Sequence, residues 1–98
     1  MSLNNKQNRF LRAQAHSLKP VVLIGGAGLT DNVINEINHA LEDHELIKVR
    51  VNADDRDDKK LMIEKISRQT ESEMVQTIGH IGIFYRQNEK DPKISFPK

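Results

Sequence analysis

The sequence predicts a two-layer α/β (α+β) domain, with three helices on a four-stranded mixed sheet in the order α-β-α-β-α-β-β. Two observations lead to this fold class. Segments with helical spacing of apolar residues alternate with short strand-like runs, and such helices commonly connect parallel strands. The last two strand-like runs are separated only by Gly79 and His80, which predicts an antiparallel hairpin at one edge of the sheet.

The length of 98 residues allows one hydrophobic core, so we expect a single domain over residues 1–98. Its core is predicted at about residues 5–87, and residues 88–98 form a polar tail that Ile94 and Phe96 hold in part. The mean hydropathy is −0.61, and the longest apolar run, residues 21–24, is too short to cross a membrane. Since the N-terminal region has no signal-peptide pattern, we expect a cytoplasmic protein without a membrane partner.

The first helix is predicted to run from a cap at Asn4 or Asn5 to about His16. Its apolar side chains gather on one face, and the opposite face is cationic, while no acidic residue precedes Asp31 in the chain. A face built only for solubility usually mixes both signs, so this pattern favours a phosphate-binding surface over an ordinary solvated face. The cationic face consists of Lys6, Arg9, Arg12 and His16.

A glycine loop joins the first strand to the second helix. Residues 21–24 are predicted to form a short, fully buried strand, which leads directly into Gly25, Gly26, Ala27 and Gly28. Thr30 then caps a helix that extends to about residue 44. Backbone amides without a neighbouring Cβ can approach a ligand closely, and a helix N-terminus favours an anion such as phosphate. The alternative is a tight turn that needs glycine only for its dihedral angles.

The second helix is predicted to be acidic on its outer face. Residues 31–45 carry five acidic side chains and neither lysine nor arginine. Because phosphate would be repelled there, we expect this face to point away from any nucleic acid. Its apolar stripe consists of Val33, Ile34, Ile37, Ala40 and Leu41.

The remaining elements follow from similar patterns. Residues 46–51 alternate between apolar and cationic side chains, which predicts a half-buried strand with Lys48 and Arg50 on one face. Asp57 or Asp58 is predicted to cap a third helix that ends at about Thr70. Residues 74–78 and 81–86 are the two strands of the hairpin.

The chemistry of most enzymes is absent from the sequence. There is no cysteine, and His39 and His44 are spaced wrongly with Glu42 for a zinc motif. The glycine loop lacks the third glycine of a dinucleotide fingerprint and the Gly-Lys-Ser/Thr of a P-loop. We therefore expect no catalytic activity, no cofactor, no bound metal and no small-molecule substrate.

Gly25 and Gly28 match the G-x-x-G pattern with which KH-type domains clamp a nucleotide backbone. Aromatic residues make up only 4% of the chain, which favours recognition of backbone and shape in structured RNA over base stacking. The predicted RNA-binding residues are Lys6, Arg9, Arg12, His16, Lys19, Gly25, Gly26, Ala27, Gly28, Lys48, Arg50 and Arg86.

Over about residues 5–96, the chain resembles the CRM (chloroplast RNA splicing and ribosome maturation) domain, in particular the stand-alone bacterial YhbY family. The resemblance rests on Lys19-Pro20, residues 24–30, residues 44–51, Gly79 and Tyr85-Arg86. It implies a fold like the C-terminal domain of the third bacterial translation initiation factor. It also implies RNA binding through the G-x-x-G loop and the neighbouring basic surface, and association with precursors of the large ribosomal subunit.

The family resemblance thus implies structured ribosomal RNA as the partner, and ribosomal proteins are candidate further partners. The chain departs from many family members at Gly26 and Ala27, which are less polar than the usual middle of the loop. An alternative of a different class is a protein-interaction module whose acidic second helix docks a basic ribosomal or assembly protein. Charge reversal on the first helix, compared with charge reversal on the second, distinguishes these two hypotheses.

Overall fold

The computed structural model describes residues 3–96 and contains three helices and four strands in the predicted order. The ends of the predicted domain, residues 1–2 and 97–98, lie outside the described residues. The predicted fold class is confirmed. The elements are α1 (Asn5–Ala15), β1 (Pro20–Ile24), α2 (Asp31–His44), β2 (Leu46–Val51), α3 (Arg56–Thr70), β3 (Glu73–Ile78) and β4 (Ile81–Tyr85).

The four strands form one mixed sheet in the order β1-β2-β4-β3. The crossover through α2 makes β1 parallel to β2, as expected for a strand–helix–strand unit. The short turn after β3 makes the β3–β4 pair antiparallel, and β4 also pairs antiparallel with β2. Strands β1 and β3 are therefore the two edges.

Local hydrogen bonds explain where the helices begin. Asn4 caps α1 in a reciprocal capping box with Gln7, and Thr30 Oγ1 accepts from the backbone N–H of residue 33 at 3.2 Å. The predicted cap of α3 at Asp57 or Asp58 is wrong, because Asp55 Oδ1 accepts from the Asp57 N–H at 3.1 Å and the helix begins at residue 56. The two predicted caps instead lie in the first turn, where carboxylates complement the helix dipole.

The strands bury side chains on both faces of the sheet. Helices α2 and α3 cover one face, and α1 covers part of the other, so α1 adds a third layer to the predicted two. The larger core consists of Val22, Ile24, Ile37, Leu41, Ile47, Val49, Val51, Ile63, Ile66 and Phe84. The smaller core consists of Leu11, Ala15, Leu46, Ile83 and Tyr85. None of the helices in residues 3–96 is long and apolar enough to cross a membrane.

The prediction that β1 is fully buried is wrong. Val22 and Ile24 are buried, but Val21 and Leu23 are 47% and 57% exposed. The reason is the position of α1, which packs against β2, β3 and β4. The outer face of the edge strand β1 therefore stays open to solvent.

The carboxylate of Glu45, between α2 and β2, is completely buried. Its two oxygens accept backbone N–H groups from Asn88 at 2.6 Å, from Ile94 at 2.7 Å and from Lys93. Its own carbonyl oxygen accepts from the Arg86 N–H at 2.9 Å. Glu45 thereby fastens the segment that follows β4 to the rest of the domain, and its backbone adopts a left-handed φ of 63°.

The first and last described segments meet over the smaller core. The ring of Phe96 lies 5.7 Å from that of Phe10 and 5.6 Å from that of Tyr85, measured between centroids. Burial raises the pKa of the Tyr85 phenol, and the negative charge of Glu45 raises it further. Tyr85 is therefore a neutral core side chain at physiological pH.

Replacing Glu45 by glutamine is expected to lower the free energy of unfolding by about 2 kcal/mol, because the amide turns a donor toward backbone N–H groups. Urea denaturation measures this loss. Glu36→Gln is the matched control, since Glu36 is exposed on α2, and it should change stability by less than about 0.5 kcal/mol. Equal stability of the two variants would contradict the structural role of Glu45.

Candidate nucleic-acid interface

The glycine loop (residues 25–28) is a tight turn between β1 and α2. The Gly28 N–H donates to the Gly25 carbonyl at 3.0 Å, and the Thr30 N–H donates to the Gly28 carbonyl at 3.2 Å. Gly25, Gly26 and Ala27 are exposed. The turn therefore presents its backbone to solvent directly in front of the N-terminus of α2.

The fold explains the glycine at only one of the loop's three glycine positions. Gly28 has a φ of 75°, which L side chains rarely adopt. At Gly25 and Gly26 a Cβ atom would meet nothing within 4 Å, and neither residue has a left-handed φ. The open space over these two residues is consistent with a ligand that approaches the backbone closely.

Three loops meet at the end of the sheet where β1 and β2 finish, which we call the loop end. Ile24 lies beside Val51, and its carbonyl accepts from the Asn52 N–H at 3.2 Å. The Val51 N–H donates to the carbonyl of His80, in the β3–β4 turn, at 2.7 Å. The strand order therefore places residues 52–55 between the glycine loop and the hairpin turn at this end of the sheet.

Arg50 is the predicted cation that the fold places at the loop end. It is exposed, it lies beside Leu23 in the register of β1 and β2, and its Nε donates to Asn52 Oδ1 at 3.3 Å. Sequence reasoning missed Lys59, whose Nζ donates to the Gly79 carbonyl at 2.5 Å. The rule that parallel strands end at the same edge could have indicated it, because α3 begins shortly after β2.

Acidic residues also lie at the loop end, in the segment after β2 (Asp54 and Asp55) and in the first turns of α2 and α3. Asp57 and Asp58 are in the first turn of α3, which packs on the face of the sheet shared with α2. Leu23 and Arg50 alternate with buried residues of that face and therefore point to the α1 side. A polyanion that reaches the glycine loop from the α1 side therefore approaches over the face of the sheet opposite α3.

Lys19, which follows α1, and the glycine loop do not form one cluster. Lys19 precedes β1, whereas the loop follows it, so a rise of about 3.3 Å per residue separates them by roughly 20 Å. Lys48 is half-buried, and its Nζ donates to the Leu18 carbonyl at 3.0 Å. The cationic face of α1 is exposed as predicted, and it consists of Lys6, Arg9, Arg12 and His16.

Arg86 lies within the fold and not at the loop end. Its guanidinium donates to Asn38 Oδ1 at 2.9 Å, to the Thr70 carbonyl at 2.7 Å and to Glu42 Oε1 at 3.1 Å. These contacts tie the C-terminal ends of α2 and α3 to the end of β4, so we do not retain Arg86 in the interface. The guanidinium also forms an ion pair with Glu42, an acidic residue of α2, the helix that the alternative hypothesis assigns to protein docking.

The chain matches a family model and known proteins over most of its length. The family model of the CRS1 / YhbY (CRM) domain matches residues 3–86. The chain is 50% identical to an RNA-binding protein of Haemophilus influenzae over 97 residues, which cover 99% of this chain and 97% of that one. It is 40% identical to the probable RNA-binding protein YqeI of Bacillus subtilis over 97% of this chain and 99% of that one.

A solved structure has the same fold. The solution structure of the hypothetical protein SAV1595 from Staphylococcus aureus matches with a TM-score of 0.83 and 42% sequence identity. The match covers 98% of this chain and all of that one. In residues 3–96, no group of three or more histidine, cysteine, aspartate or glutamate side chains is placed to hold a metal ion.

The two ends of the glycine loop should respond differently to alanine. Gly28→Ala is expected to lower the free energy of unfolding by about 1 kcal/mol, because alanine must adopt a left-handed conformation there. Gly25→Ala should not lower it, because that position has open space and an ordinary φ. Urea denaturation of both variants checks this difference, and equal destabilisation would show that the fold itself requires Gly25.

Proposed function

The chain belongs to the CRS1 / YhbY (CRM) domain family, and from this premise we propose that it binds the sugar-phosphate backbone of structured RNA. The glycine loop and the N-terminus of α2 form the phosphate contact. The observation that carries the proposal is the exposed backbone at Gly25 and Gly26, where the fold gives no reason for glycine. Relatives named as RNA-binding proteins support it.

Backbone amides are suited to this contact because they donate to any phosphate, whatever the base. The positive end of the α2 dipole lies directly after the loop and favours an anion. Arg50 adds a full positive charge on the α1 side of the loop end. In this proposal, Gly26 and Ala27 contribute no side-chain hydrogen bonds, so the amides carry the contact.

The cationic face of α1, together with Lys19, forms a second contact in this proposal. Residues 1–30 carry four lysine or arginine side chains and no acidic one, so phosphate meets no repulsion along this segment. A structured RNA can contact both surfaces at once and bridge the distance between them. Such contacts fix the position of the RNA and carry no sequence information.

The aromatic residues favour recognition of backbone and shape. Phe84 and Tyr85 are buried, and Phe10 and Phe96 pack against each other and the smaller core. Phe10 and Phe96 are half-buried in these contacts, and the chain has no tryptophan. Aromatic base stacking therefore has no part in the proposal.

We further propose that the RNA is ribosomal RNA in precursors of the large subunit, and that the protein acts in cytoplasmic ribosome assembly. The family membership supports this step, and structured RNA is abundant in such particles. The protein acts here by binding, without catalysis. The ion pair between Arg86 and Glu42 reduces the negative charge that α2 could offer to a basic protein partner, which is the alternative role.

Ala27→Asp is expected to weaken RNA binding about tenfold or more, because a carboxylate in the loop repels phosphate and opposes the α2 dipole. Fluorescence titration of a structured RNA measures the affinity, and thermal melts should be nearly unchanged since Ala27 is exposed. Ala27→Ser controls for size. Gln69→Glu adds the same charge at an exposed position near the end of α3. Both controls should bind like the wild type.

The same titration repeated across salt concentrations tests the phosphate contact. With roughly four to six phosphates neutralised, log K should fall with log salt at about −0.7 to −0.9 per phosphate. An Ala27→Asp variant that folds and binds RNA like the wild type would mean that the loop is only a turn. A flat salt dependence would exclude a phosphate-dominated interface.

The ribosomal part of the proposal is tested in cell extract. Wild-type protein is expected to sediment with precursors of the large subunit in a sucrose gradient, and sequencing of crosslinked RNA should recover large-subunit ribosomal RNA. Ala27→Asp should move to the top of the gradient, because it loses the phosphate contact, while Ala27→Ser should not. Wild-type protein that binds RNA in vitro yet sediments alone would separate RNA binding from ribosome assembly.

A further inference from the structure

One row of side chains crosses all four strands near the loop end. The strand registers place Leu23 beside Arg50, Arg50 beside Ile81, and Ile81 beside Ile78. Side chains of directly paired residues point to the same face of a sheet. Ile81 packs against the smaller core, so the row belongs to the α1 side. We call these four residues the open row.

The open row is aliphatic and largely uncovered. Leu23 and Ile78 are 57% and 55% exposed, Arg50 is exposed, and Ile81 is half-buried. The next rows of this face contain the buried Ile83 and Tyr85, because α1 packs over them. Exposed aliphatic side chains that lie together on one face are typical of a contact surface.

The charged side chain within the open row is cationic, which favours an anionic occupant. Asp54 and Asp55 lie outside the row, in the segment after β2. Strand β1, the glycine loop and β2 carry no acidic side chain, and Arg50 stands between Leu23 and Ile81 in the row. The hydrogen bond from Arg50 Nε to Asn52 Oδ1 restrains the guanidinium at this position. A planar guanidinium beside aliphatic side chains can contact both a phosphate and the flat face of a base.

The open row is also continuous with the glycine loop. Leu23 is separated from Gly25 by one residue, and Ile78 and Ile81 flank the hairpin turn at the same end of the sheet. A nucleic acid whose backbone reaches the loop from the α1 side therefore passes over the row. The adjoining bases would meet aliphatic side chains there.

We propose that the open row holds unpaired RNA nucleotides that adjoin the backbone contact at the glycine loop. Leu23, Ile81 and Ile78 support the base faces, and Arg50 binds the neighbouring phosphate or stacks on a base. This inference rests on the proposed function and narrows its ligand to RNA in which a single-stranded segment follows a helix. In a continuous duplex the base faces are stacked inside and cannot reach the row.

The test is the double variant Leu23→Thr with Ile78→Thr, which removes the aliphatic surface and keeps side chains that favour strands. Two RNA probes are used: a hairpin with a short single-stranded extension, and a blunt duplex with the same number of phosphates. The variant should bind the extended hairpin about fivefold more weakly. This loss of affinity is the size expected when two aliphatic side chains are no longer partly buried against the RNA. Its affinity for the duplex and its salt dependence should be unchanged.

Met74→Thr is the matched control. Met74 is 45% exposed on β3, but its partner is Phe84, so it points to the opposite face of the sheet. This variant should bind both probes like the wild type. Thermal melts check that all variants fold. If the double variant does not fold, Leu23→Thr and Ile78→Thr are each tested alone with the same two probes.

The outcomes separate this inference from the proposed function. If the wild type binds neither RNA, the proposed function fails. If the wild type binds and the double variant binds the extended hairpin equally well, only the open row is excluded. A wild type that is dimeric in sedimentation velocity, with a monomeric double variant of unchanged RNA affinity, would assign the row to a second copy of the chain and overturn the inference.

Discussion

The buried carboxylate of Glu45 is the interaction on which the rest of the architecture depends. A buried charge is costly unless hydrogen bonds satisfy it, and here three backbone N–H groups of residues 88–94 do so. Because Glu45 is the C-cap of α2 and directly precedes β2, the same residue lies at the crossover and holds the C-terminal segment. Arg86 extends this junction to α3 through the Thr70 carbonyl.

This polar junction makes the two ends of the sheet different. The end with Glu45 and Arg86 is closed by side-chain hydrogen bonds, ring contacts and the C-terminal segment. The loop end is closed mainly by backbone turns, and it leaves the glycine loop, Arg50 and the outer face of β1 exposed. Ligands of sheets with parallel strands commonly bind where those strands end, and here β1 and β2 end at the open side.

The sequence predicted the elements well because local patterns determine them. The Thr30 cap, the full extent of β2 and the hairpin follow from side chains close together in the chain. The exposure of β1 and the roles of Glu45 and Arg86 depend on contacts between distant segments. Nothing near Glu45 in the sequence marks it as buried, since its partners are more than forty residues away.

The sequence did not predict the parts of the candidate site whose geometry depends on the strand order or on the position of α1. Lys19 and the glycine loop are close in the chain, but a whole strand separates them in the fold. Leu23 and Ile78 are far apart in the chain, but β2 and β4 bring them into one row. In the proposed mode, the loop binds any RNA backbone through its amides, so it cannot discriminate among RNAs. In the same mode, the aliphatic surface of the open row distinguishes unpaired from paired nucleotides, because only unpaired nucleotides expose their base faces to it.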